Sequence, residues 1–203
     1  MKIFISGTDT SVGKTVISSW LCTKTRFSYW KPIQSGDIED SDTQFVHKSS
    51  KTKVFKESYT FKNPLSPYHA SALENITIDI NSISVPQEKN LIIEGAGGVL
   101  VPLNEKELIV DFIKHLNIPV ILVVRSTLGT INHTLLSLEA LKHRSIKVLG
   151  VIMNGPFNKG NFEAIEYYGQ TKVLATFPKL DNLSNDVLKS IELPSSLKQI
   201  LEL

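Results

Sequence analysis

A doubly wound α/β fold of the P-loop NTPase type, a mostly parallel sheet with helices on both faces, is what this sequence predicts, and three observations carry it. Short apolar runs rich in β-branched residues alternate along the chain with segments of helical pattern. Five of the six runs are near-continuously apolar rather than alternating, so both faces of those strands are covered. The stretch Gly7-Thr8-Asp9-Thr10-Ser11-Val12-Gly13-Lys14-Thr15 lies between the first run and the first helical segment, where a phosphate-binding loop belongs.

Taken in order, KIFIS at 2–6 is the first strand, and a helix at about 14–25 follows the glycine-rich loop. SYWK at 28–31 is the second strand. Pro32 disfavours helical backbone at Lys31, so Lys31 closes that strand in extended form with its ammonium over the carboxyl edge of the sheet. A helix at about 41–48 starts in DIEDSD, where Ser41 or Asp40 can act as a cap. Residues 50–88 are the least patterned part: KSSKTKVFK leads into NPLSPYHAS, a long excursion of the kind that often carries function. Thereafter strands at 90–94, 119–124, 147–153 and 172–177 alternate with helices at about 107–116, 131–143, 159–168 and 184–201, bounded by Gly, Pro, Asn or Ser. Right-handed βαβ units follow from this alternation, with ligands expected outside the carboxyl ends of the strands.

Bulk properties narrow the function. A chain of 203 residues suits one P-loop α/β domain, 1–203, and no linker, repeat or low-complexity tract divides it. With 22 Lys+Arg against 20 Asp+Glu the formal charge is +2, which gives no broad basic surface for nucleic acid. Cys22 is the single cysteine and reads as a small buried side chain of the first helix, compatible with a reducing cytoplasm. MKIFISG is too short for the apolar region of a signal peptide, and no run approaches the ~18 apolar residues of a membrane span. A soluble, cytoplasmic protein with small-molecule partners is expected.

The loop departs from the usual spacing, with five residues instead of four between Gly7 and Gly13. Its position still puts free backbone N–H groups and a helix N-terminus against an anion. Lys14 reaches β- and γ-phosphate oxygens, and the Thr15 hydroxyl is a ligand for Mg²⁺. In NLIIEGAGG, Glu94 is the charge that ends a buried strand, and a carboxylate there needs a cation or several donors, a metal being the natural partner. Gly95, Gly97 and Gly98 serve a tight turn or a close approach to ligand, and both readings stand. For Lys31 a surface position, and for the cluster around Asp42 a helix cap by Ser41 or Asp40, are the plain alternatives to a place in the site. Four of the five histidines, His47, His69, His115 and His143, show no metal spacing.

The motifs GTDTSVGKT, KPIQSG, SD, IEGAGG, PVILVV with GTINH, and the asparagine after the next strand together resemble the ATP-dependent dethiobiotin synthetases, from Gly7 to about Pro178. The lengthened loop belongs to that resemblance, as does variation at Ser11. The resemblance implies ATP and Mg²⁺ as cofactors, 7,8-diaminononanoate and CO₂ as substrates, dethiobiotin, ADP and phosphate as products, and a homodimer. It assigns Lys14, Lys31 and Thr10 to catalysis, and Gly13, Lys14, Thr15, Val16, Asn154 and Pro178 to the nucleotide. Substrate falls to Ser35, Gly97, Gly129, Thr130 and Ile131, the last three from the partner subunit at a helix start, and metal to Thr15, Asp42 and Glu94. After Pro178 an acidic residue is common in the family, whereas this chain runs Lys179-Leu180-Asp181-Asn182, which bears on nucleotide choice. His133 coincides with a family motif, and a structural role at the helix start is expected.

Two other readings stay open at this level. A regulatory domain that kept the fold is countered by the retained pairs Lys14 with Lys31 and Asp42 with Glu94. A partition or septum-site ATPase carries a further lysine early in its loop, absent from Thr8 to Val12, and in membrane forms ends in a basic amphipathic helix, whereas Pro194 cuts the terminal segment here.

Overall fold

The computed structural model describes residues 1–36, 39–180 and 182–202; Asp37 and Ile38 of the acidic stretch, and Asp181 beyond Pro178, lie outside the described residues. The strands are β1 (Lys2–Gly7), β2 (Ser28–Trp30), β3 (Ile33–Ser35), β4 (Val54–Phe55), β5 (Tyr59–Phe61), β6 (Leu91–Gly98), β7 (Val120–Arg125), β8 (Val148–Asn154) and β9 (Val173–Phe177). The helices are α1 (Lys14–Thr25), α2 (Asp42–Ser50), α3 (Pro67–Leu73), α4 (Ile109–Leu116), α5 (Thr130–His143), α6 (Lys159–Gly169), α7 (Asn185–Ser190) and α8 (Ser195–Ile200). Seven strands form one parallel sheet in the order β4-β2-β6-β1-β7-β8-β9, and β3 with β5 forms a small parallel pair.

Period-2 alternation along strands buried on both sides produces the two cores. Ile3 and Ile5 of β1 pack with Ile17, Trp20 and Leu21 of α1, Val46 of α2, Leu188 of α7 and Leu197 of α8. Phe4, pointing the opposite way, belongs with Phe112 and Ile113 of α4, Leu138 and Leu141 of α5, and Ile165 of α6. The chain runs from β1 outward through β2 and β4, returns to β6, and then crosses β1 to build β7, β8 and β9. That reversal beside β1 is a topological switch point, so loops at the carboxyl ends of β1, β2 and β6 part around a crevice.

The α1 bounds agree with those expected, while four stretches depart from expectation. The predicted helix at 184–201 is two short helices, α7 and α8, because Pro194 takes the cap position of α8 and residues 191–194 leave the helix. The Trp20 indole N–H donates to the Ile191 carbonyl at 2.9 Å and so ties this break to α1. Strand β2 stops at Trp30, leaving Lys31 one residue beyond it. Strand β6 runs on through the glycines to Gly98, so Glu94 lies within the strand rather than at its end. The unpatterned region 50–88 holds β4, β5, α3 and a 3₁₀ turn at Ile80–Ser82, pieces too short to show a period. Among the described residues no helix is long and apolar enough to cross a membrane.

Candidate functional site

The loop between β1 and α1 owes its course to two left-handed residues and three side-chain anchors. Gly13, the N-cap of α1, has φ 97°, and Ser11 has φ 55°. A Cβ at Gly13 would overlap the Asn154 amide nitrogen as well as strain the backbone, so glycine is required there twice over. Asn154 Nδ2 donates to the Val12 carbonyl at 2.9 Å, and Arg125 Nη2 donates to the Thr10 carbonyl at 2.9 Å. These two residues are register partners at the carboxyl ends of β8 and β7, so adjacent strands hold the longer loop from beneath. From within, Lys14 Nζ donates to the Asp9 carbonyl at 3.0 Å.

Glu94 is completely buried, and its two oxygens have different surroundings. Oε2 accepts from Ser18 Oγ at 2.7 Å and Tyr29 OH at 3.1 Å. Oε1 faces Thr15 Oγ1 at 2.9 Å and Lys31 Nζ at 3.5 Å. Asp42 Oδ1 lies 2.7 Å from the same Thr15 hydroxyl, whose single proton serves one carboxylate at a time, and Asp42 Oδ2 accepts from Lys31. Ser41 supplies the α2 cap, accepting from the Gln44 N–H, and Asp40 pairs with exposed Lys48. Asp42, the first residue of the helix, is thereby free to face the site.

Charge states follow from this packing. Burial would lower the Lys31 ammonium, but Glu94 and Asp42 outweigh it and hold the group above its ordinary value. Desolvation would raise Asp42, and Lys31 overrides that so that its carboxyl lies below the usual range. Lys14 lacks so close a counter-charge, and burial lowers it from 10.5 to about 8 despite the opposing pull of Glu94. Burial, with Glu94 beside it, keeps the Tyr29 phenol well above its usual range and therefore a donor. Burial likewise raises the Cys22 thiol and keeps it protonated.

These groups open onto a cavity of about 550 Å³. Thr10, Gly13, Lys14, Thr15, Val16, Lys31, Ser35, Asp42, Glu94 and Gly97, all predicted from sequence, lie on its wall. Gly97, near the end of β6, has φ 67°, in the left-handed region, and lines the cavity. Asn154 lies behind the loop, Pro178 is exposed after β9, and Gly129, Thr130 and Ile131 start α5 away from this wall. Thr130 is buried and its hydroxyl donates to the Arg125 carbonyl at 2.6 Å.

Two carboxylates and a hydroxyl are hard oxygen donors, the set Mg²⁺ takes when it keeps water and phosphate oxygens as its other ligands. Among the described residues no group of three or more His, Cys, Asp or Glu side chains could hold a metal ion. Residues unforeseen from sequence are Ser18, Tyr29, Arg125 and Gln34. Arg125 carried a signal, as the charge that ends PVILVVR; Ser18 and Tyr29 read as ordinary helix and strand positions until Glu94 is placed between them.

A family model described as an AAA domain matches residues 1–187. The chain is similar to the ATP-dependent dethiobiotin synthetase BioD of Lawsonia intracellularis, with 51% identity over 200 residues that cover 98% of each chain. It is 42% identical to that of Neorickettsia sennetsu, over 100% of this chain and 96% of the other. Among solved structures, a plasmid partition protein of Borrelia burgdorferi B31 bound to AMPPNP is 12% identical and aligns over 99% of this chain and 94% of that one with a TM-score of 0.53, a likeness of fold alone.

Proposed function

The chain belongs to the AAA-domain family and to the ATP-dependent dethiobiotin synthetases, and on that premise we propose that the crevice beside β1 is where its reaction takes place. The enzyme is an ATP-dependent ligase of biotin biosynthesis: 7,8-diaminononanoate, CO₂ and ATP give dethiobiotin, ADP and phosphate. One amine adds to CO₂ to form a carbamate, whose oxygen takes the γ-phosphoryl group. The second amine then attacks the activated carbonyl, closes the five-membered urea ring and expels phosphate.

The observation that best supports the assignment is the convergence of Lys14, Lys31, Thr15, Asp42 and Glu94 on one cavity wall. A carbamate and a triphosphate repel each other, so the protein's task is positioning and charge neutralisation. The N–H groups of Gly13 to Val16 cradle the phosphates, Lys14 follows the transferring phosphoryl group, and Lys31 steadies the carbamate with polar contacts from Thr10 and Ser35. Gly97 lets the backbone approach the substrate. Thr15, Asp42 and Glu94 would hold Mg²⁺ directly or through water, where it would screen the phosphate charge. Asn154 has Oδ1 and a second N–H left for the adenine edge after its bond to Val12, and Pro178 forms a wall against the base.

The working unit in this reading is a cytoplasmic homodimer. Gly129, Thr130 and Ile131 of the neighbouring subunit offer the N-terminus of α5 to the carboxylate at the far end of the substrate. Mass detection of dethiobiotin from diaminononanoate, bicarbonate and MgATP tests the reaction. Product that appears only with all three supports it; ATP hydrolysis without dethiobiotin would overturn it.

A further inference from the structure

Among the described residues, six side-chain polar atoms are buried without a hydrogen-bond partner, and three of them, Gln34 Oε1, Ser35 Oγ and Ser66 Oγ, are on residues that line one wall of the reaction cavity. That wall is made by β3 and the loop entering α3. Gln34 is 6% exposed, and its amide orientation is fixed, since Nε2 donates to the Ser35 carbonyl at 3.3 Å and the Gly36 carbonyl at 3.1 Å. Turning the amide over would set Oε1 against two carbonyl oxygens. The side chain therefore cannot rotate to relieve its unpaired oxygen, and a buried acceptor left unpaired is costly. On a residue that lines the cavity, such an acceptor is placed to pair with a donor that a ligand brings.

We propose that Gln34 is a substrate-binding residue whose Oε1 accepts an N–H from one of the two amines of the diamine substrate. This rests on the reaction assigned above and deepens it. The triphosphate and CO₂ have no N–H to give, whereas each primary amine has two. An N–H given to Oε1 leaves the nitrogen lone pair free for attack. When that amine forms the carbamate, one proton leaves to water and one N–H remains, so the same acceptor serves both species. A neutral amide suits this task better than a carboxylate, which would favour the ammonium form and remove the lone pair.

Gln34→Leu, compared with wild type, tests the contact through two analogues that each lack one amine, 7-aminononanoate and 8-aminononanoate, used as competitive inhibitors. The expected result is a rise of about tenfold in KM for the diamine and in Ki for one analogue, with Ki for the other analogue and KM for ATP within about twofold. Equal rises for both analogues would mean that Gln34 only shapes the turn at Ser35 and Gly36, and no rise would mean no contact; either overturns the proposal. If Gln34→Leu fails to fold, Gln34→Met serves, with affinity for a non-hydrolysable ATP analogue as the check on the loop. Failure of the wild-type protein to convert the diamine would instead overturn the reaction itself.

Discussion

Lys14 and Lys31 line the same cavity, yet burial decides the charge of the first and counter-charges decide that of the second. Because Lys14 is lowered to about 8, ATP meets a charged ammonium below that pH and must bring a proton with it above. Affinity for a non-hydrolysable ATP analogue is therefore expected to hold up to about pH 8 and fall beyond it. In Lys14→Ala, which should lose about 10²–10³-fold in turnover, that fall should vanish. A pH profile unchanged by the substitution would remove Lys14 as its source. The same shift acts on folding: the unfolded chain binds more protons between pH 8 and 10.5, so this lysine disfavours the fold at neutral pH and ceases to do so as pH rises through that window. For Lys31 the family resemblance implies only a catalytic role, whereas the structure adds a structural load. Lys31→Met leaves Asp42 and fully buried Glu94 without their cation, a change worth roughly 3 kcal/mol or more. A Tm lower by roughly 6–12 °C is expected, with millimolar Mg²⁺ raising the Tm of this variant more than that of wild type. An unchanged Tm without Mg²⁺ would show that the carboxylates do not depend on Lys31.

At the scale of elements, the site is a strand-loop-helix unit braced by its neighbours. β1 is central, α1 is fastened by Trp20 to Ile191 and by ring contact with Phe177 at 5.1 Å, and the loop between them is held by Arg125 and Asn154. Gly13→Ala meets two separate obstacles, a positive φ and the Asn154 amide. The first costs roughly 1–2 kcal/mol for an alanine, and the second disappears if Asn154 is shortened. In a double-mutant cycle measured by ATP-analogue affinity, Gly13→Ala with Asn154→Ala should therefore be less impaired than the sum of the two single changes. Strict additivity would show that the loop relaxes away from β8 and that strain alone matters.

For the whole molecule, the P-loop cavity and the start of α5 are separate in one chain, and the homodimer reading joins them across subunits. Thr130 is a poor place to test this, because its buried hydroxyl holds the Arg125 carbonyl. Ile131 is half-buried and better suited. Ile131→Glu should raise KM for the diamine far more than KM for ATP, since the new charge repels a carboxylate tail. Mixed under subunit exchange with Lys14→Ala, it should recover activity, because each heterodimer would carry one site with an intact loop and an intact anchor. No recovery in verified heterodimers would rule out the shared site.

The sequence by itself determined the parallel, doubly wound sheet, because strands buried on both faces must be apolar throughout. It also determined the phosphate loop, because Gly13, Lys14 and Thr15 act through local backbone geometry that adjacent residues specify. Glu94 was legible for a related reason, as a charge in an apolar strand that needs a partner. Which partners it has was decided only by the tertiary structure: Ser18 and Tyr29 are 76 and 65 residues away in sequence and reach it because α1 and β2 flank β6. The same holds for Arg125 under the loop and for Gln34, whose amide is fixed by the turn at Gly36 and whose unpaired oxygen no local pattern reveals. The short strands and α3 within 50–88 were likewise invisible, since two to seven residues are too few to display a period and their stability comes from the surfaces they pack against. Local geometry is written in neighbouring residues, whereas a hydrogen-bond partner or an orphaned acceptor is a property of the space that distant segments enclose.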